Sequence, residues 1–262
     1  MTADAIRICI DGVDIEHGAL TQLATVNYGH FTAMQIRDGQ VRGLAKHIKR
    51  LQNAHTELFG NVVHPATILE RIQQAASAAP NSYLRVTLFE TEPGEVHIVT
   101  AIRAPVDAPT AAVDLLPVTY QRPVAHIKHV GSFGQLYQGR RARADGFHDA
   151  LLTTTAGEIS ETSTANIGFI DSEGDIVWPS ANALHGITWQ LLDEAFATKG
   201  INFRTRPVTL GDLSRFIGSF VASSLGVSGV GKIGGIGSYD ANAAREVSRV
   251  YAAIPWEPIH RE

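Results

Sequence analysis

Three residues in this 262-residue sequence stand where their types and spacing could do chemistry together. Lys128 sits in the strand-like run AHIKHV, and burying a lysine lowers its pKa until a nucleophilic amine is available near neutral pH. Glu161 opens a run of small polar residues, Glu161-Thr162-Ser163-Thr164-Ala165-Asn166, after a strand-like stretch. Gly186-Ile187-Thr188 reads as the start of a helix, where unbonded N–H groups and the helix dipole favour an anion. An amine, a carboxylate and an anion site, all within residues 126–192, are what is needed to hold a phosphorylated aldehyde. Lys128 alone does not decide this, because an edge-strand lysine with its head in solvent is a commoner arrangement than a buried one.

Other sets of residues compete. Gly226 to Lys232 spells G-x-x-x-x-G-K, and Gly229 to Gly234 spells G-x-G-x-x-G. Ile233 stands where a phosphate loop needs Ser or Thr, and no helix opens on the glycines as a dinucleotide site requires, so nucleotide binding is a poor fit. None of the 11 histidines falls in H-E-x-x-H, and no metal site is expected. His47 and His55 read as one packed and one half-exposed helix residue. There is no G-x-S-x-G for a serine hydrolase.

The elements that must position these residues can be read from periodicity and turn signals. Residues 5–10 form a strand, and the run from Asn27 is β-rich with a hairpin at Asp38-Gly39. Leu44, Ile48, Leu51, His55 and Leu58 recur at helical spacing until Gly60. A second helix covers 67–79, and strands over 83–90 and 95–102 flank a Pro93-Gly94 turn. Residues 103–112, RAPVDAPTAA, have no periodicity and read as a linker. The expected organisation is a small domain over 1–104, a linker over 105–112 and a larger domain over 113–262. Scattered helices among many strands make the fold class α+β, or mixed α/β. A net charge of −4 gives no footprint for nucleic acid or an anionic membrane. No apolar run is long enough to span a bilayer, and the N-terminus lacks a basic-then-apolar secretory pattern. Cys9, the only cysteine, excludes an internal disulfide. A cytoplasmic protein is expected.

Several segments, in order, resemble the fold-type IV pyridoxal-phosphate (PLP) enzymes, which include branched-chain and D-amino-acid aminotransferases and 4-amino-4-deoxychorismate lyase. The matching pieces are Asp38-Gly39 with His47 and Arg50-Leu51, then Ile127-Lys128, then Gly146 followed by Asp149-Ala-Leu-Leu. Further on come Gly157-Glu-Ile-Ser-Glu161-Thr-Ser-Thr-Ala-Asn166 and Leu184-His-Gly-Ile-Thr188. Arg50 or Thr188 alone would pass for an ordinary helix residue; the ordered set carries the resemblance. It implies a small N-terminal α/β sandwich and a β-barrel-like C-terminal domain. It also implies Lys128 as the covalent anchor and proton carrier, Glu161 on the pyridine nitrogen, and Leu184 against the ring. Arg50, the N–H groups of Ile187 and Thr188, the Thr188 hydroxyl, and Ser224 would hold the phosphate.

The same resemblance implies an amino donor, a 2-oxo acid acceptor and a homodimer. The substrate side departs from the pattern. Phe31 and Phe133 stand where many relatives have tyrosine, Trp189 replaces an arginine after G-I-T, and the strand Arg85-Val-Thr-Leu-Phe lacks the usual Arg-Gly. Phe31, Thr32 and Arg85 are the candidate substrate residues, with Arg122 a further arginine for a substrate carboxylate. Transamination is the expected reaction. A lyase releasing pyruvate is the alternative, because GHFTA at 29–33 and IKH at 127–129 resemble the lyases as closely. A catalytically retired relative is the reading outside enzymes.

Overall fold

A computed structural model describes residues 7–14 and 23–260 of the chain. It separates into two compact units. The first takes the described residues up to Val106, together with Ile127–Gly131 and the described residues from Pro255 onward. The second takes Asp107–His126 and Ser132–Ile254.

The first unit is an antiparallel sheet covered by two helices. Its strands are β1 (Arg7–Ile10), β2 (Val13–Asp14), β3 (His30–Ile36), β5 (Ser82–Glu90) and β6 (Val96–Arg103), in the order β2-β1-β6-β5-β3, with β4 (Gln40–Val41) turning back from β3. Residues 5 and 6 of the expected first strand lie outside the described residues. At the hairpin, Asp38 (φ 49°) and Gly39 (φ 70°) are both left-handed. A two-residue turn of this hand matches the twist of the flanking strands, and Asp-Gly is the pair that tolerates it. Helix α1 (Leu44–Phe59) ends on Gly60 in the left-handed conformation. Helix α2 (Pro65–Ala78) starts two residues earlier than its apolar period suggested, because His64 caps it and Pro65 suits its first turn. Met34, Ile36, Leu51, Ile68, Ile72, Leu84, Val86 and Leu88 form the core between sheet and helices.

The chain returns to this unit twice, and edge pairing is the reason. β3 has a strand neighbour on one side only, β5. The other edge is taken by 127–131: Phe31 N–H donates to the Lys128 carbonyl at 2.8 Å, and Val130 N–H to the Gly29 carbonyl at 2.9 Å. Glu257–Pro258 pairs with β4, and Ile259 enters the core.

The second unit holds a closed barrel. Its strands are β7 (Val113–Thr119), β8 (Asp149–Thr153), β9 (Ile159–Thr162), β10 (Asn166–Asp171), β11 (Ile176–Pro179), β12 (Phe203–Arg206), β13 (Phe216–Ser223) and β14 (Gly226–Ile233). The path β10-β13-β14-β7-β8-β9 returns to β10 through the pair Glu161–Asn166, so the ring closes at the residue singled out for its carboxylate. Helices α3 (Phe133–Ala144), α4 (Ile187–Lys199) and α5 (Arg245–Ala252) cover its outside; α4, through Leu192 and Phe196, and α5, through Val247 and Val250, join one core cluster with Trp178 and Phe220. The glycine-rich segment is strand β14, bonded on both sides. Its glycines answer to packing: a Cβ on Gly231 would stand 2.9 Å from the Asp114 carboxylate, and Gly226 has φ 127°. A strand offers no cradle of free N–H groups, which removes the nucleotide-loop reading.

Candidate active site

In the first unit the chemistry gathers at the edge of β3. Pairing to Phe31 fixes the Lys128 backbone there, and the lysine Nζ lies 4.9 Å from the centre of the Phe31 ring. In the β3–β5 register Phe31 faces Thr87 and Ala33 faces Arg85, so Phe31, Arg85 and Thr87 share one sheet face. The Arg85 guanidinium stacks on the Phe31 ring at 3.6 Å, and its Nε donates to Thr87 Oγ1 at 3.2 Å. Burial lowers its pKa.

The opposite face carries His30 and Thr32 toward α1. His47 and Arg50, one turn apart on that helix, meet Thr32. The Thr32 hydroxyl lies 2.6 Å from His47 Nδ1, and Arg50 Nη2 donates to Thr32 Oγ1. The same nitrogen is 3.5 Å from His47 Nδ1. These contacts require a lone pair on His47 Nδ1 and a neutral ring. Burial, then Arg50 and Lys128, hold the His47 pKa well below its usual value.

Arg50 is the unusual member. Burial lowers its pKa to about 10, its Nε–H is inaccessible and unbonded, and no carboxylate among the described residues pairs with it. A cation taken out of water without an anion is costly, so this guanidinium is suited to an anionic ligand. His55 is not half-exposed as its helix position suggested. It is fully buried, because Glu90 offers it a partner at 3.1 Å that the helical period could not reveal.

In the second unit the site is built around Glu161. Arg122 Nε donates to Glu161 Oε1 at 2.9 Å, with both side chains less than a tenth exposed, and Leu184 N–H donates to Oε2 at 3.3 Å. Arg122 also bonds the Ala125 carbonyl. Arg122, a residue considered for a substrate carboxylate, is thus ion-paired with Glu161, a pairing between positions 39 apart that no motif announced.

Asn166, which pairs with Glu161 across the barrel seam, clamps the turn into α4. Its amide donates to the Leu184 carbonyl at 2.6 Å and accepts from Gly186 N–H at 3.2 Å. A Cβ on Gly186 would stand 2.3 Å from that amide oxygen, so this close approach requires glycine. Gly186 has no side-chain capping bond, which leaves the first-turn N–H groups of Ile187 and Thr188 for a ligand. The Thr188 hydroxyl differs from expectation. It donates to the Ser223 carbonyl at 2.6 Å, so the backbone N–H is the donor this residue has to offer. Leu184, Ile187 and Thr188 are buried, and Ser224 is half-buried in the β13–β14 turn.

The pattern of the family described as "Amino-transferase class IV" matches residues 29–233. Among solved structures, a hypothetical aminotransferase from Mycobacterium tuberculosis superposes with a TM-score of 0.83 at 18% identity, covering 95% of this chain and 98% of the other. The branched-chain amino acid aminotransferase of Escherichia coli gives 0.83 at 15% identity, over 97% and 99% of the two chains. A candidate 4-amino-4-deoxychorismate lyase from Legionella pneumophila gives 0.80 at 18%, over 89% and 93%. At these identities the structures speak for the fold alone. A search of the curated proteins finds no match. The family pattern spans most of the chain, from the start of the Lys128-bearing sheet edge through the barrel seam at Glu161, and the chain belongs to the class IV aminotransferases, which use PLP.

Proposed function

We propose that this chain transfers an amino group from an amino acid or amine to a 2-oxo acid. The observation that carries the reading is Arg85, stacked on Phe31 beside Lys128. Its Nε is held by Thr87 and its terminal nitrogens make no hydrogen bond among the described residues, a fork suited to a substrate carboxylate. The residues fit PLP. Arg50 is a buried guanidinium with an unbonded N–H and no carboxylate of its own, and α4 begins without a side-chain cap. When bound, PLP supplies the electron sink that stabilises a carbanion.

The protein's part is to bind, orient and move protons. Lys128 anchors the cofactor covalently and, once released, carries the proton at its Nζ. Glu161 would hold the ring-nitrogen proton, with Arg122 orienting that carboxylate. Arg50, the N–H groups of Ile187 and Thr188, and Ser224 bind the phosphate, while Leu184 packs on the ring. Phe31 and Thr32 line the substrate side. The working form is a cytoplasmic homodimer, a state that sedimentation of the purified protein tests.

The decisive experiment is a donor–acceptor panel on PLP-loaded protein, with Lys128→Ala as control. Transamination requires both a donor and a 2-oxo acid, and a visible cofactor band that borohydride abolishes in the wild type and that Lys128→Ala lacks. Pyruvate released without any acceptor would establish the lyase instead. Protein that takes up no PLP would sink both.

A further inference from the structure

Arg50 is held at one corner and open at another. Its Nη2 donates to Thr32 Oγ1 and lies 3.5 Å from His47 Nδ1, while its Nε–H is inaccessible and has no hydrogen-bond partner. Thr32 Oγ1 and His47 Nδ1 are 2.6 Å apart and both residues are buried, so the three side chains close a triangle between β3 and α1. We propose that His47 and Thr32 are positioning residues for Arg50, fixing its guanidinium through a directed hydroxyl before the cofactor's phosphate arrives. The proposal rests on the reading of Arg50 as the phosphate ligand. What Thr32 offers a substrate is then its bulk alone, because its hydroxyl is committed.

Each proton in the triangle has one consistent place. A guanidinium only donates, so Thr32 Oγ1 accepts from Arg50. The Thr32 proton then goes to His47 Nδ1, which needs a lone pair there and carries its own proton on Nε2. The opposite tautomer would set an Nδ1–H against the Arg50 Nη2 3.5 Å away, donor against donor. In the first arrangement the hydroxyl is no longer a free rotor. Its hydrogen is tied to the imidazole, and its lone pair faces the guanidinium. Helix geometry sets this up, since positions 47 and 50 share one face of α1 and Thr32 meets them from the sheet.

Neutral partners suit this task. A carboxylate would hold Arg50 as firmly, but it would compete with a phosphate for the guanidinium. A hydroxyl and a neutral imidazole restrict the long side chain and leave its whole charge for the ligand. Ordering the side chain in advance removes an entropy loss that would otherwise weaken binding. Burial, followed by the nearby charges of Arg50 and Lys128, keeps His47 neutral. A protonated His47 would lose the lone pair that orients Thr32 and would place a third cation beside those two.

Apo-protein titrated with PLP, and in parallel with pyridoxal, which lacks the phosphate, tests the triangle. Thr32→Val keeps the shape without the hydroxyl, and His47→Leu removes the acceptor. Each should weaken PLP binding about tenfold, the scale of a hydrogen bond to a charged group. Both should leave pyridoxal binding unchanged and add no loss in an Arg50→Ala background. Thr32→Ser and His47→Asn, whose amide oxygen can accept where Nδ1 does, should stay within about twofold of the wild type. Parallel loss of pyridoxal, unchanged PLP affinity, no retention in the conservative pair, or full loss persisting without Arg50 would each overturn the positioning role alone. If Arg50→Ala itself leaves PLP affinity intact, the phosphate reading fails and the positioning role falls with it. Nitrogen NMR of the wild-type apo-protein needs no variant: His47 should be neutral with its proton on Nε2, and a proton on Nδ1 would refute the chain of donors.

Discussion

Glu161 in the barrel unit and Arg50 in the sheet unit are both charged groups withdrawn from water, and they are treated in opposite ways. Glu161 has its counter-charge built in, with Arg122 on one oxygen and a backbone N–H on the other. Arg50 has two neutral partners and an unbonded N–H. In the proposed function Glu161 holds a ring nitrogen, and its partner cation Arg122 is in place before any ligand arrives. A guanidinium meant to hold a phosphate is better left for the ligand to neutralise, because a resident carboxylate would compete with it.

The contrast breaks first at Arg122. Arg122→Ala leaves a buried carboxylate without its cation and should cost about 3–5 kcal/mol of stability. Arg122→Met combined with Glu161→Gln should recover most of that loss, because it removes both charges. Urea unfolding of the apo-protein measures both. The corresponding change at the other site, Arg50→Met, should move apo stability by no more than about 1 kcal/mol, since lost bonds to Thr32 and His47 are offset by relief of an unpaired buried charge. A loss as large as that of Arg122→Ala would mean that Arg50 is structural, and the difference between the two regions would vanish.

Acid separates the units in a second way. His30 and His47 have folded-state pKa values below the free value of 6.5, His30 at about 3. Between pH 6.5 and 4 the unfolded chain therefore binds more protons at these positions. The sheet unit loses stability as pH falls, by about 1.4 kcal/mol per pH unit for each histidine titrating in the unfolded state. Asp193 on α4 has the opposite sign. Burial raises its pKa to about 6 against the bonds it receives from Trp178 and Trp189, so the folded state binds more protons between pH 4 and 6. Its contribution is lost as pH rises. Hydrogen exchange at pH 7 and 4.5 should show faster opening of β3 and β5 in acid, with His30→Val flattening the trend. Around α4, Asp193→Asn should remove a trend that runs the other way.

These features were legible in the sequence to different degrees for a physical reason. Turn and helix boundaries depend on neighbours in the chain, so Asp38-Gly39 and Gly60 could be read directly. Lys128, Glu161 and Gly186-Ile187-Thr188 could be read because they lie in motifs whose chemistry is local. The partners were not legible. Arg122 with Glu161, and His30 with His55 and Glu90, are paired across 25 to 39 positions by barrel closure and by helix-on-sheet packing. Asn166 was visible in its motif, yet its clamp on residues 184–186 depends on the seam it sits in.

The smallest expected effect lies in the backbone. Each unit has non-glycine residues in the left-handed region, but the residue types differ. Asp11, Asn27 and Asp38 in the sheet unit are types that tolerate it, while Val124 in the barrel unit, at φ 47°, is β-branched. Val124 is about half exposed, so packing does not hold it there. Arg122 does, by bonding Ala125 while it is itself fixed by Glu161. The loop before Lys128 thus keeps its shape through a long-range ion pair, where the Asp38-Gly39 turn keeps its own through residue type. Val124→Asn should therefore stabilise the protein by about 0.5–1 kcal/mol, through relief of left-handed strain. In an Arg122→Ala background the loop can relax, and the gain should shrink toward zero. An equal gain in both backgrounds would show that the ion pair orders Glu161 without imposing the strain.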